Sequence, residues 1–121
     1  MENKNIVLKF YKAFQTGTLN ADLFTEDFHF TGIIEGFNDM RRSEFVDAFN
    51  KISPLVREHR LSDLVCENDK VFVSLDFISN PPEVKDTRFA DLFTCREGKI
   101  SQLITHFDPR AFFVLPEFNE N

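Results

Sequence analysis

Two aspartates stand where a purely structural side chain would be apolar. Asp76 lies within VFVSLDF and Asp91 within RFADLFT, both runs with the two-residue alternation of a strand. A carboxylate carried into apolar surroundings resists ionisation, so its pKa rises toward neutrality. Two such groups close together would share a proton, which suits general acid–base chemistry. The structural alternative for Asp76 is a cross-strand ion pair with Arg88 or Arg57, and Asp91 is open to the same kind of pairing. Tyr11, the single tyrosine, falls on the apolar face of a helical pattern, where it can serve the core or a pocket.

Other chemistries find less support. His106 and Asp108 share a strand face, but on the side away from Asp91, which suits an interface or surface histidine. Asp108-Pro109 reads as a chain-turning cap. His29 and His59 have no partners at metal-ligand spacing, so no metal site is expected. Cys66 and Cys95 are too few for a disulfide framework and read as buried strand thiols of a reducing compartment. There is no Gly-rich phosphate loop, no Gly-x-Ser-x-Gly and no Cys/His nucleophile pattern, and no cofactor is expected. A formal net charge of -6 argues against nucleic acid and anionic membranes as partners. No leader pattern and no apolar run of membrane-spanning length is seen, so the expected location is the cytoplasm.

These side chains need elements to carry them. The 121 residues fit one domain, 1–121. Ile6, Val7, Phe10, Tyr11 and Phe14 predict an amphipathic helix over 3–16, ended by Gly17. Residues 19–24 read as a short second helix, 27–31 as a strand and 32–40 as a loop. Ser43 is a plausible cap for a helix carrying Phe45, Val46, Phe49 and Ile52 as far as Pro54. Four strands follow. The first spans 57–67 and turns at Asn68-Asp69. In the second, Val71, Val73, Leu75 and Phe77 face one way, and Phe72, Ser74, Asp76 and Ile78 the other; residues 80–83 break it. The last two meet at Glu97-Gly98, and a three-residue loop with a glycine bulge would set Cys95 opposite Lys99. Phe89, Asp91 and Phe93 would then share a face with Ser101, Leu103, Thr105 and Phe107. Leu92, Thr94, Ile100, Gln102, Ile104 and His106 would take the other. Residues 111–115 are a last helical turn or strand. Early helices and a late meander imply an α+β domain with a curved antiparallel sheet wrapped round the N-terminal helices, and a pocket between them.

The helix ending FYKAFQTG, the entry LFTEDFHF, the strand VFVSLDF and the segment ADLFTCREGKISQLITHFDPRAF resemble the nuclear-transport-factor-2-like superfamily. Its relatives include SnoaL-like polyketide cyclases, limonene epoxide hydrolase and ketosteroid isomerase. The resemblance implies a cone-shaped fold with a central pocket. Tyr11 matches the isomerase's oxyanion tyrosine and Asp91 its oxyanion acid, while the base position falls at Gly32. Asp76 matches the first aspartate of the epoxide hydrolase, but Ser74 replaces the bridging arginine and Thr105 the second aspartate. The cyclase histidine and aspartate positions read Phe93 and Thr105. No family active site is intact.

Tyr11, Ser74, Asp76, Asp91 and Thr105 are nonetheless expected to point into one cavity among phenylalanines. Asp76 would be the base, Asp91 a second acid or orienter and Tyr11 an oxyanion donor, with Phe14, Phe30, Ser74, Phe93, Leu103 and Thr105 contacting the ligand. The partner is expected to be a small hydrophobic molecule, either turned over (isomerisation, cyclisation or hydrolysis) or only bound. A third reading is a dimeric interaction protein whose pocket is filled by its own phenylalanines. A homodimer through the convex face, using Leu92, Ile100 and Ile104, is expected in any case.

Overall fold

A computed structural model describes residues 2–33, 38–80 and 85–112. Among them are helices α1 (Glu2–Thr16) and α2 (Arg42–Ile52). The strands are β1 (Phe24–Thr31), β2 (Asp39–Arg41), β3 (Val56–Glu67), β4 (Lys70–Ser79), β5 (Thr87–Arg96) and β6 (Lys99–Phe107). One sheet joins the strands in the order β2-β1-β6-β5-β4-β3. The expected α+β architecture is present. The sheet is mixed, because β1 lies parallel to β6 while the other neighbours are antiparallel. Register shifts in the β1–β6, β3–β4 and β5–β6 pairings bend it, as an extra residue on one strand must.

Both helices form from apolar stripes at helical spacing and press those stripes on the concave face. Ile6, Val7, Phe10 and Tyr11 are buried on α1, and Phe45, Ala48 and Phe49 on α2. Gly17, at φ +72, ends α1 with its N–H on the Ala13 carbonyl. The start of α2 differs from expectation. The helix begins at Arg42, and Glu44 rather than Ser43 does the capping, its carboxylate accepting the Arg41 backbone N–H at 3.0 Å. The short β2, in the span expected to be loop, pairs with the end of β1 from His29↔Arg41 to Thr31↔Asp39.

Two corrections concern the β5–β6 hairpin. Its loop is the two-residue turn Glu97-Gly98, with φ of +52 and +78, so Arg96 faces Lys99 and Cys95 faces Ile100. The bulge lies further along: Thr94 pairs with Gln102, leaving Ser101 unopposed with its hydroxyl on the Thr94 carbonyl. That extra residue reverses the phase of β6 behind it. Ile100, expected on the convex face, is therefore fully buried on the concave one, in line with Leu103 and Thr105. The expected chain break at 80–83 and the segment 111–115 lie partly outside the described residues. The part of the latter that is described ends a 3-10 turn, Pro109–Phe112.

Candidate functional site

Between α1, α2 and the concave face lies a cavity of about 110 Å³. The rings of Phe77, Phe89 and Phe107 cover part of its sheet side. Phe89 stacks on Phe107 at 4.2 Å and 3°, and on Phe77 at 5.2 Å and 14°. Phe14 comes from α1, Phe45 and Phe49 from α2, and Gly32 and the exposed Ile33 follow β1. Among the described residues no lysine or arginine lines it. Its polar wall consists of Tyr11, His59, Asp91 and Thr105.

Strand register builds one polar group. Asp91 and Thr105 are direct partners across β5 and β6, so their side chains leave the sheet side by side. The Thr105 hydroxyl donates to Asp91 Oδ1 at 2.5 Å. The Tyr11 hydroxyl comes down from α1 and donates to Asp91 Oδ2 at 2.6 Å. All three residues are buried. Burial pushes the Asp91 carboxyl up to about 6, against the two hydrogen bonds that favour its anion. Burial, and then the neighbouring carboxylate, drive the Tyr11 phenol well above its ordinary range, so it stays a donor.

His59, on β3 opposite Phe77, was not expected here. Its ring meets Phe14 at 4.5 Å, Tyr11 at 5.4 Å and Phe77 at 5.6 Å, all edge-on. Burial lowers its pKa to about 4, so it is neutral at physiological pH. Its sequence neighbours conceal it: in VREHRL both flanks are charged and read as surface. The usable signal was the alternation of His59 with Leu61, which packs against the core.

The other expected site residues divide. Tyr11, Phe14, Phe30, Asp91, Leu103 and Thr105 line the cavity. Phe93 lies beneath it, fully buried against Phe10 and Tyr11. Ser74 and Asp76 do not reach it. Val73 is the partner of Asp91, so Ser74 and Asp76, one residue out of phase, project from the convex face. There Asp76 Oδ1 accepts from Arg88 Nε at 2.8 Å, and Ser74 Oγ accepts from Arg88 as well. Among the described residues no three His, Cys, Asp or Glu side chains gather as a metal-binding group, and no helix is long and apolar enough to cross a membrane.

A family model for the SnoaL-like domain matches residues 7–103. The chain belongs to the SnoaL-like family. Solved structures agree on the fold. An NTF2-like protein of unknown function from Cytophaga hutchinsonii is 21% identical, with a TM-score of 0.76 over 92% of this chain and 94% of that one. IdmH, a candidate polyketide cyclase from Streptomyces antibioticus, is 15% identical, with a TM-score of 0.76 over 94% and 97%. A candidate SnoaL-like polyketide cyclase from Jannaschia sp. CCS1 is 17% identical, with a TM-score of 0.70 over 93% and 90%. No curated protein matches the sequence. Within this SnoaL-like fold, the β5–β6 carboxylate is met by a threonine rather than by a second acid.

Proposed function

We propose that this SnoaL-like chain binds a small apolar ring- or carbonyl-bearing molecule in the cavity, with Asp91 as the proton-sharing group that orients it. The observation that carries this reading is Asp91 on the cavity wall, buried, held by Tyr11 and Thr105, and raised to about 6. At that value a carboxyl group is divided between acid and anion near neutral pH, the condition for moving a proton either way. Tyr11 then has two partners to choose from. Its hydroxyl donates to Asp91, and a ligand carbonyl at the same place would compete for that hydrogen bond. The chemistry supported is proton transfer at one carbon or oxygen, as in isomerisation or cyclisation. Asp76, paired with Arg88 outside the cavity, is replaced by Asp91 in the role of base.

A second reading, binding without turnover, is favoured by a specific feature. Both Asp91 oxygens already accept hydrogen bonds from the chain, and no second carboxylate lines the described cavity. The two readings share the ligand and differ in its fate. Native mass spectrometry of the purified protein should find a co-purifying apolar molecule. Prolonged incubation with that molecule should give product that Asp91→Asn abolishes. Bound ligand recovered unchanged assigns the protein to binding alone, and turnover surviving in Asp91→Asn overturns the role of Asp91.

We further place the protein in the cytoplasm, as a homodimer that requires no cofactor. The two free thiols, Cys66 and Cys95, support a reducing compartment. The dimer uses the convex face of the sheet, where Val65 and Phe72 are exposed.

A further inference from the structure

We propose that His59 is the second polar contact for the ligand, so that the site takes an uncharged ring with a hydrogen-bonding group toward Asp91 and another toward His59. This rests on the cavity being a ligand site, and it deepens that reading by stating what the ligand must carry.

Three observations meet here. First, His59 makes no side-chain hydrogen bond with the described residues, yet no buried nitrogen or oxygen is left without a partner. Its ring nitrogens are therefore not sealed from contact, and the ring lines the cavity. The rings of Phe14, Tyr11 and Phe77 meet the imidazole edge-on and give it no polar partner, so a guest in the cavity can supply one.

Second, the two polar places are separate. Tyr11 stands between them, with its ring 5.4 Å from His59 and its hydroxyl on Asp91. A molecule that reaches both must lie along the Tyr11 ring and against the stacked Phe77, Phe89 and Phe107, which favours a flat guest. The volume of about 110 Å³ suits a single ring. It is of the order of the roughly 150 Å³ cavities known to hold benzene.

Third, the lining decides the charge of the guest. With no described lysine or arginine on the wall, and with burial holding His59 neutral, nothing compensates an anion. A carboxylate or phosphate would enter beside the buried Asp91 with no described cation to offset either charge. A hydroxyl or carbonyl meets no such penalty, because neutral imidazole accepts at one nitrogen and donates at the other.

Calorimetric titration with three probes of similar shape tests the proposal. These are 4-hydroxyacetophenone, polar at both ends; acetophenone, polar at one; and 4-hydroxybenzoate, an anion. The first should bind about tenfold tighter than the second, as expected for one added hydrogen bond, and the third should bind weakest. His59→Leu should erase the tenfold advantage while leaving acetophenone within about twofold. His59→Gln should restore part of it. If the advantage survives in His59→Leu, or both ketones weaken equally, His59 is part of the wall only and the proposal falls. If 4-hydroxybenzoate binds best, the charge argument falls. If no probe binds the unaltered protein, the cavity reading falls with it. The 15N shifts of the His59 ring nitrogens, which respond to hydrogen bonding far more than to ring currents, give a readout without mutation: they should move several-fold further with 4-hydroxyacetophenone than with acetophenone, and equal movement with both overturns the assignment.

Discussion

Asp91 and His59 are displaced from their ordinary pKa values in opposite directions by the same cause, loss of water. The consequences for stability oppose each other. Asp91 is raised from 3.8 to about 6, so between those values the folded chain binds more proton than the unfolded one, and stability falls as pH rises. His59 is lowered from 6.5 to about 4, so over its window the unfolded chain binds more proton, and stability increases with pH. Each effect is worth about 3 kcal/mol, and the two windows nearly coincide. The unaltered protein should therefore show little pH dependence from this pair. Asp91→Asn should expose the His59 slope, gaining stability from pH 4 to 6.5. His59→Gln should expose the reverse slope. Exposed carboxylates held low by arginine, such as Asp27 and Asp108, are common to all three proteins and drop out of the comparison. Urea unfolding at pH 4.5 and 6.5 checks this, and three parallel profiles would contradict the opposed shifts of the two groups. The same pair shows what single residues disclosed. Asp91 was legible because an acid inside an apolar run must be paired, protonated or functional. His59 was not, because a histidine between a glutamate and an arginine looks solvated until β4 fixes which side it faces.

At the scale of elements, strand phase separates the two aspartates. The alternation in VFVSLDF correctly put Ser74 and Asp76 opposite Val73 and Leu75, since the latter two are fully buried. Which of those faces was concave depended on the long-range pairing Val73↔Asp91, which no local pattern contains. Helices α1 and α2, the β3–β6 meander and the position of the Glu97-Gly98 turn follow from periodicity and from glycine's tolerance of positive φ, and were legible; the helix expected over 19–24 is only a 3-10 turn, Ala21–Leu23, because Phe24 already starts β1 and is fully buried there. The parallel contact of β1 with β6 and the bulge at Ser101 arise from tertiary packing, so the phase of Ile100 was lost with them. Asp76 is held on the convex face by Arg88. Its side chain is 38% exposed and its partner Arg88 62%, an exposure at which an ion pair contributes about 1 kcal/mol or less. Asp76→Asn should leave ligand binding unchanged and cost under about 1 kcal/mol in urea unfolding. A loss of binding in that variant would show that the convex face communicates with the cavity.

For the molecule as a whole, the two sides of the sheet have different occupants. The helices cover the concave side. On the convex side Val65 pairs with Phe72, Phe72 with Leu92 and Leu92 with Ile104, so an apolar row crosses β3, β4, β5 and β6. Val65 is 59% exposed and Phe72 40%. The row is flanked by Lys70, Thr94 and Gln102 on one side and by Ser74, Ala90 and His106 on the other, with Asp76 and Arg88 beyond, an apolar centre and a mostly polar margin of the kind that protein interfaces have. A second copy, turned by a two-fold axis, would lay row on row without leaving an open edge. A net charge of -6 opposes association at long range, so the contact must draw on this apolar row, and moderate salt should strengthen it. Light scattering of the unaltered protein should give twice the chain mass of 14.1 kDa. Phe72→Lys would bring two like charges together at the centre of the interface and should give the monomer mass. Because Phe72 lies on the opposite side of β4 from Val73 and Leu75, the same variant should retain the affinity of the cavity for 4-hydroxyacetophenone. A monomer in the unaltered protein would refute the dimer. A monomeric Phe72→Lys that no longer binds would show instead that the cavity needs its partner to stay formed.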